Sequence, residues 1–257
     1  MRLLFELGGV PFAASVAAGA GVEAALPIVP RPPPPAAGEA SGSSVAAATA
    51  PAAAVSAFWL PAAEAAPVVA GSWVGAVDAG ASVNCVTLSA CVHGCGTHTE
   101  CCGHVLPGRV ALGEHVPLPR APFAGLLVSV TPTVLPHDDE AALAAFRVTY
   151  PTAAAGDRVI DGSALEAGLA AVVEALQSAV PPGVSARDTA LAALRDGALA
   201  LRTRPNSDDK RHAAYSGTNP PYVGPDVAAW ARRHGVAALL LDLPSVDREV
   251  RAACDGG

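Results

Sequence analysis

The chain has 257 residues, enough for one large domain or two small ones, and 51% of them are apolar but only 4% aromatic. Much of the apolar share is alanine, which buries little area, so the core is thinner than the mean hydropathy of +0.38 suggests. A formal net charge of −7 and a pI near 5.4 argue against a nucleic-acid or anionic-membrane partner, since either calls for a basic face.

In chain order, Arg2 followed by Leu3-Leu4-Phe5 superficially suggests an export signal. Glu6 interrupts the apolar stretch and Gly8-Gly9 breaks it, whereas a signal core is continuous and uncharged, so a cytoplasmic chain is expected. Residues 1–29 read instead as a β-hairpin segment, with strands from Leu3 to Leu7 and from Val10 to Val16. Residues 30–57 read as a low-complexity insertion or linker, with Pro30 and Pro32 to Pro35 followed by Ala/Ser/Gly-rich sequence. Structure is expected to resume at Ala57-Phe58-Trp59-Leu60. No run approaches the roughly 20 apolar residues of a membrane-spanning helix.

Short strands are predicted at Val68-Val69, Ser72 to Gly75, Ser82 to Leu88, and Ala124 to Val130 ahead of Pro132. The period changes after Asp161. Ser163 and Glu166 form a capping-box pattern, and Leu165, Leu169, Val172, Val173 and Leu176 mark one apolar helix face. A second helix is predicted over Ala186 to Leu194 and a strand over Ala198 to Thr203. A third helix starts near Pro225-Asp226 and stops at Gly235. The apolar run Val236 to Leu241 then reads as a buried strand. The whole is an α/β (or α+β) single domain over 58–257, with no repeat and no internal boundary.

The stretch Cys91 to His104 carries the chemistry. Three imidazoles (His93, His98, His104) and the carboxylate of Glu100 lie within twelve positions. Neutral nitrogens with one anionic oxygen are what a borderline divalent cation takes. His98 and Glu100 are two apart and share a face on an extended chain. His93 and His98 are five apart, so Gly94 and Gly96 are expected to supply a bulged or left-handed backbone that brings His93 round. Gly103 is expected to let the chain turn before His104, whose pKa of about 6.5 when unperturbed suits a general base or acid.

Six cysteines occur, at 85, 91, 95, 101, 102 and 254, and read mostly as free thiols packed as small apolar residues. A rival structural zinc site would use Cys95, Cys101 or Cys102 with His98 and His104, but the paired C-x-x-C knuckles of such sites are missing.

The stretch resembles the signature H-x-G-T-H-x-D-x-P-x-H of the cyclase family of metal-dependent hydrolases, which includes bacterial kynurenine formamidases (arylformamidases). Here it reads H-G-C-G-T-H-T-E-C-C-G-H, like the branch with one extra residue in the first spacing and Glu for Asp. Ala57 to Pro61, Ser82 to Cys85, Arg211 to Tyr222 and Leu241 to Asp247 resemble further family segments in the same order. The resemblance implies a swivelling β/β/α fold, often dimeric, that uses zinc or manganese to hydrolyse small-molecule formamides, amides or cyclic amides, as in tryptophan catabolism. It implies His93, His98 and Glu100 as metal ligands, His104 as the catalytic histidine, and Phe58, Trp59, Tyr215 and Tyr222 as substrate-lining. Asp242 and Asp247 read as strand-end caps. Relatives add a His and a Glu beyond the P-S-x-D motif, and here no histidine follows His234. The expectation is therefore a one-metal or C-terminally short enzyme, with an inactive protein that keeps the fold as the alternative.

Overall fold

A computed structural model describes residues 2–7, 10–15, 54–108, 110–113 and 124–249. Residues 30–53 of the low-complexity segment, the Gly8-Gly9 turn and Cys254 lie outside them. Strands β1 (Arg2–Leu7) and β2 (Val10–Ser15) pair antiparallel, as the N-terminal pattern predicts. The described residues from 54 onward fall into two compact units, one formed by 54–99 with 207–218 and the other by the rest. The sequence reads 58–257 as one domain. Because the units interleave along the chain, no shift of composition marks where one gives way to the other.

The first unit is made of short strands. β3 (Glu64–Pro67) pairs antiparallel with β6 (Val86–Ser89), and β4 (Val69–Ala70) forms a hairpin with β5 (Trp73–Val74). The strand predicted from Ser82 begins only at Val86. Before it, the Asn84 carboxamide accepts a hydrogen bond from the Val77 amide (2.9 Å) and holds the chain in a turn. The predicted linker end at 57 is also corrected, because Ser56 already bridges Ala214 and Ala57 is buried.

The second unit carries all four described helices. β7 (Gly125–Val130) is followed by β8 (Thr133–Val134), α1 (Glu140–Thr149), β9 (Arg158–Ile160), α2 (Gly162–Leu176) and α3 (Ala186–Leu194). Next come β10 (Ala198–Thr203), β11 (Tyr222–Val223), α4 (Pro225–Arg233) and β12 (Ala238–Leu241). The α/β class is thus as predicted. β10 is the centre of a three-stranded parallel sheet in the order β12-β10-β7, and Leu199 stands level with Leu126 and Leu239. β9 is the centre of a smaller mixed sheet, β11-β9-β8.

On the parallel sheet, alternation puts Val128, Val130, Leu199 and Leu201 into one core with Leu165 and Leu169 of α2, Leu194 of α3, and Val227 and Trp230 of α4. Fully burying each large aliphatic side chain contributes about 1.5–3 kcal/mol.

Three expectations change here. Ser163 is not the cap of α2. The cap is Asp161, whose Oδ1 accepts from the Ala164 amide (2.8 Å) and from the Ser163 hydroxyl (2.7 Å). Glu166 looks outward instead, accepting from Arg187 (2.9 Å) and from Trp230 Nε1 (3.0 Å). β12 is not a buried strand, because among the described residues it has one neighbour in the sheet, and Leu239 and Leu240 stay 37% and 48% exposed. The sequence reading also missed α1, capped by Asp139 with Leu143 buried, and the strands β3, β8, β9 and β11, none longer than four residues. Such pieces are too short to show a period.

A second core joins Leu135, Leu143, Tyr150, Ala153, Val159 and Tyr222. Under it lies Asp157, which is 0% exposed. Its carboxylate accepts from Arg248 Nε (2.7 Å), Asn219 Nδ2 (2.8 Å), the Tyr222 hydroxyl (3.0 Å) and the Ala154 amide (2.9 Å). Burial pushes this carboxyl upward, but Arg248, Ala154, Asn219 and Tyr222 together outweigh burial and hold it below the ordinary carboxylate value.

Candidate metal centre

Residues 91–96 form a tight turn and not a bulged strand. The Gly94 amide donates to the Cys91 carbonyl (3.0 Å) and the Cys95 amide to that of Val92 (3.4 Å). Of the two glycines expected to bend the backbone, only Gly96 takes a left-handed conformation, at φ 84°. Gly94 serves close approach instead, since a Cβ there would lie 2.6 Å from Cβ of Leu60. The turn absorbs the odd step from His93 to His98. Their ring centroids lie 4.9 Å apart, edge to face at 83°.

His93, His98 and Glu100 each offer a ligand atom, and these atoms all lie within 4.8 Å of one another. Among the described residues they are the one such group that could hold a metal ion. The donor set of two imidazoles and a carboxylate suits a divalent cation. The backbone supports it as well. His98 Nδ1 sits 3.3 Å from the Gly96 carbonyl, which can only accept, so the tautomer that donates there carries its proton on Nδ1 and its lone pair on Nε2. The imidazoles are half-buried and Glu100 is exposed, so the group can be reached from solvent.

His104 closes a 3₁₀ turn, Cys102–His104, that brings its Nε2 to 3.8 Å from Glu100 Oε1. Gly103 has no left-handed backbone here. It is required because a Cβ would meet the Val110 carbonyl oxygen.

The thiolate alternative does not form. Cys95 is buried with its Sγ directed at the Cys91 carbonyl (3.2 Å), and the Cys101 thiol points to the Val110 carbonyl (3.6 Å). The cysteines at 85, 91, 95, 101 and 102 carry no disulfide.

The four expected substrate-lining residues separate. Trp59 is 53% exposed, and Phe58 and Tyr215 are half-buried. Tyr222 is corrected to a core residue, with its ring in the second core and its hydroxyl on Asp157. Burial and the neighbouring Asp157 charge push that hydroxyl far above the ordinary phenol range. Asp242 does cap a strand, accepting from the Thr203 amide (3.0 Å) and hydroxyl (2.8 Å).

Phe58 and Trp59 carry a feature that sequence reasoning missed. Both are left-handed, at φ 59° and 53°, inside a turn closed by the Leu60 amide on the Ala57 carbonyl (3.2 Å). Two consecutive left-handed residues are the sign pattern of a type I′ turn, usually filled by Asn-Gly. Two aromatic residues there store about 1–3 kcal/mol each. No turn-forming residue type marks the place, so the sequence carries no local signal for it.

A family model described as "Putative cyclase" matches residues 48–248, well over half of the chain. No curated protein matches the chain, and no solved structure does.

Proposed function

The chain belongs to the cyclase family, and on that premise we propose that it is a metal-dependent hydrolase of carbon–nitrogen amide bonds, with aryl formamides and cyclic imides as the substrate class. The convergence of His93, His98 and Glu100 supports this reading most directly. These three side chains would hold zinc or manganese, since imidazole and carboxylate serve both. When bound, such a cation polarises a carbonyl and lowers the pKa of water from about 15.7 to about 7.

The residues of the chain do the rest. Hydrolysis forms a bond from the water oxygen to the carbonyl carbon and breaks the C–N bond, giving a carboxylic acid together with an amine from a formamide or an amide from a cyclic imide. His104 takes the proton of the attacking water and delivers it to the leaving nitrogen. Its place 3.8 Å from Glu100 keeps it beside the ligand group. Phe58, Trp59 and Tyr215 are the proposed substrate-lining residues, with aromatic faces suited to an aryl substrate.

No helix among the described residues is long and apolar enough to cross a membrane. A cytoplasmic location and a homodimer complete the proposal. The exposed valine and leucine of β6, Val86 and Leu88, offer apolar surface suited to self-association.

The test is metal stoichiometry measured together with turnover of N-formyl-kynurenine and simple cyclic imides. One bound metal with turnover of either class is the expected result. Metal bound with no turnover across a broad amide panel would leave a cyclase-fold binding protein and overturn the enzyme reading.

A further inference from the structure

The left-handed turn at Phe58-Trp59 needs an external hold, because nothing in its own sequence favours the conformation. Three hydrogen bonds on one side provide it. The Ser56 amide donates to the Ala213 carbonyl (3.0 Å), the Tyr215 amide to the Ser56 carbonyl (2.8 Å), and the Trp59 amide to the Ser216 hydroxyl (2.9 Å). On the other side, the Ala57 amide donates to the Gly94 carbonyl (3.0 Å), and Leu60 packs so tightly on Gly94 that no side chain fits there. Gly94 is the residue next to His93. The strap 56–60 therefore ties the 213–216 segment to the backbone that places the first proposed ligand.

We infer that Ser216 is a positioning residue for the metal centre: by accepting from the Trp59 amide, it holds the left-handed turn in the conformation that seats Gly94, and through Gly94 the imidazole of His93. This rests on His93 acting as a ligand. Ser216 is 157 residues from Trp59 in sequence. Its hydroxyl matters because it is the one side-chain group among these four hydrogen bonds; the other three run backbone to backbone and survive any substitution except proline.

The experiment measures zinc and manganese affinity of the full chain by competition with a chelating dye, with the melting temperature of the metal-free protein followed alongside. Ser216→Ala is expected to weaken binding about 10–100-fold, the usual loss for a group that orients a ligand without binding metal. Ser216→Thr keeps an acceptor oxygen and is expected to restore most of the affinity. A second pair tests the turn itself. Trp59→Gly accepts a positive φ and should bind metal like the parent, whereas β-branched Trp59→Val resists it and should bind weakly. Parental affinity in Ser216→Ala overturns the inference, as does equal weakening by alanine and threonine. If Ser216→Ala does not fold, the Trp59 pair decides, and equal affinities of its glycine and valine variants overturn the inference. A parent protein that binds neither metal overturns the ligand reading itself, a different failure from a parent that binds and a Ser216→Ala variant that binds equally well.

Discussion

Asp157 and Glu100 are both carboxylates among polar neighbours, yet their surroundings differ in kind. Asp157 is fully buried, and its oxygens are taken up by Arg248, Asn219, Tyr222 and the Ala154 amide. Glu100 is exposed and stands with His93 and His98, groups that are neutral when they act as donors. A buried charge surrounded by its own counter-ion and donors has nothing left to offer a ligand. Its work is to fix the chain around it. A carboxylate grouped with two imidazoles at the surface is a donor set that could hold a divalent cation.

The comparison breaks most completely at His98. His98→Ala should abolish stoichiometric metal binding, read by elemental analysis of the purified protein, while the fold survives because the loop contributes little core. Retained stoichiometric metal would mean that the ligands are wrongly assigned. His104→Ala should keep the metal and lower turnover by about 10²–10⁴-fold, the usual share of a general acid–base group. Loss of metal in that variant would make His104 a ligand.

On the buried side, Arg248→Ala should leave metal affinity unchanged and cost about 3–5 kcal/mol in urea unfolding, since it strands the Asp157 charge without its counter-ion. A loss under 1 kcal/mol would show that water reaches Asp157 and replaces the arginine. The pH dependence sharpens the same contrast. Asp157 titrates lower in the folded protein than in the unfolded chain. Its stabilisation is therefore complete above the ordinary carboxylate range near about 4, and is lost as pH falls through the lowered value. Stability of the parent should drop on that acid limb, and the limb should flatten in Asp157→Asn. The smallest effect belongs to the exposed pair Arg187–Glu166, where Arg187→Ala should cost no more than about 1 kcal/mol.

Much of this was legible in the sequence. The apolar period of Leu165, Leu169, Val172, Val173 and Leu176, and the Pro225 start and Gly235 stop, placed α2 and α4 to within about two residues, the usual precision of helix ends. The grouping of the candidate donors was legible too, because His93, His98 and Glu100 lie within eight residues and the turn that gathers them is local. What the sequence hid depends on distant partners. The α2 cap looked like Ser163 because the S-x-x-E spacing was present, but Glu166 is drawn off by Arg187 and Trp230, 21 and 64 residues away. Tyr222 looked like a pocket residue until Asp157, 65 residues away, took its hydroxyl.

The sequence by itself thus determined the helical and strand periods and the clustering of donor side chains in the histidine stretch, because each is written within a turn or two of chain. Tertiary structure alone decided that β12 has one neighbour in the sheet among the described residues, that Gly94 is kept for space, and that Phe58-Trp59 bends left-handed beneath Ser216. Those outcomes follow from which distant backbone groups a segment meets on folding, and short-range residue preferences carry no record of that meeting.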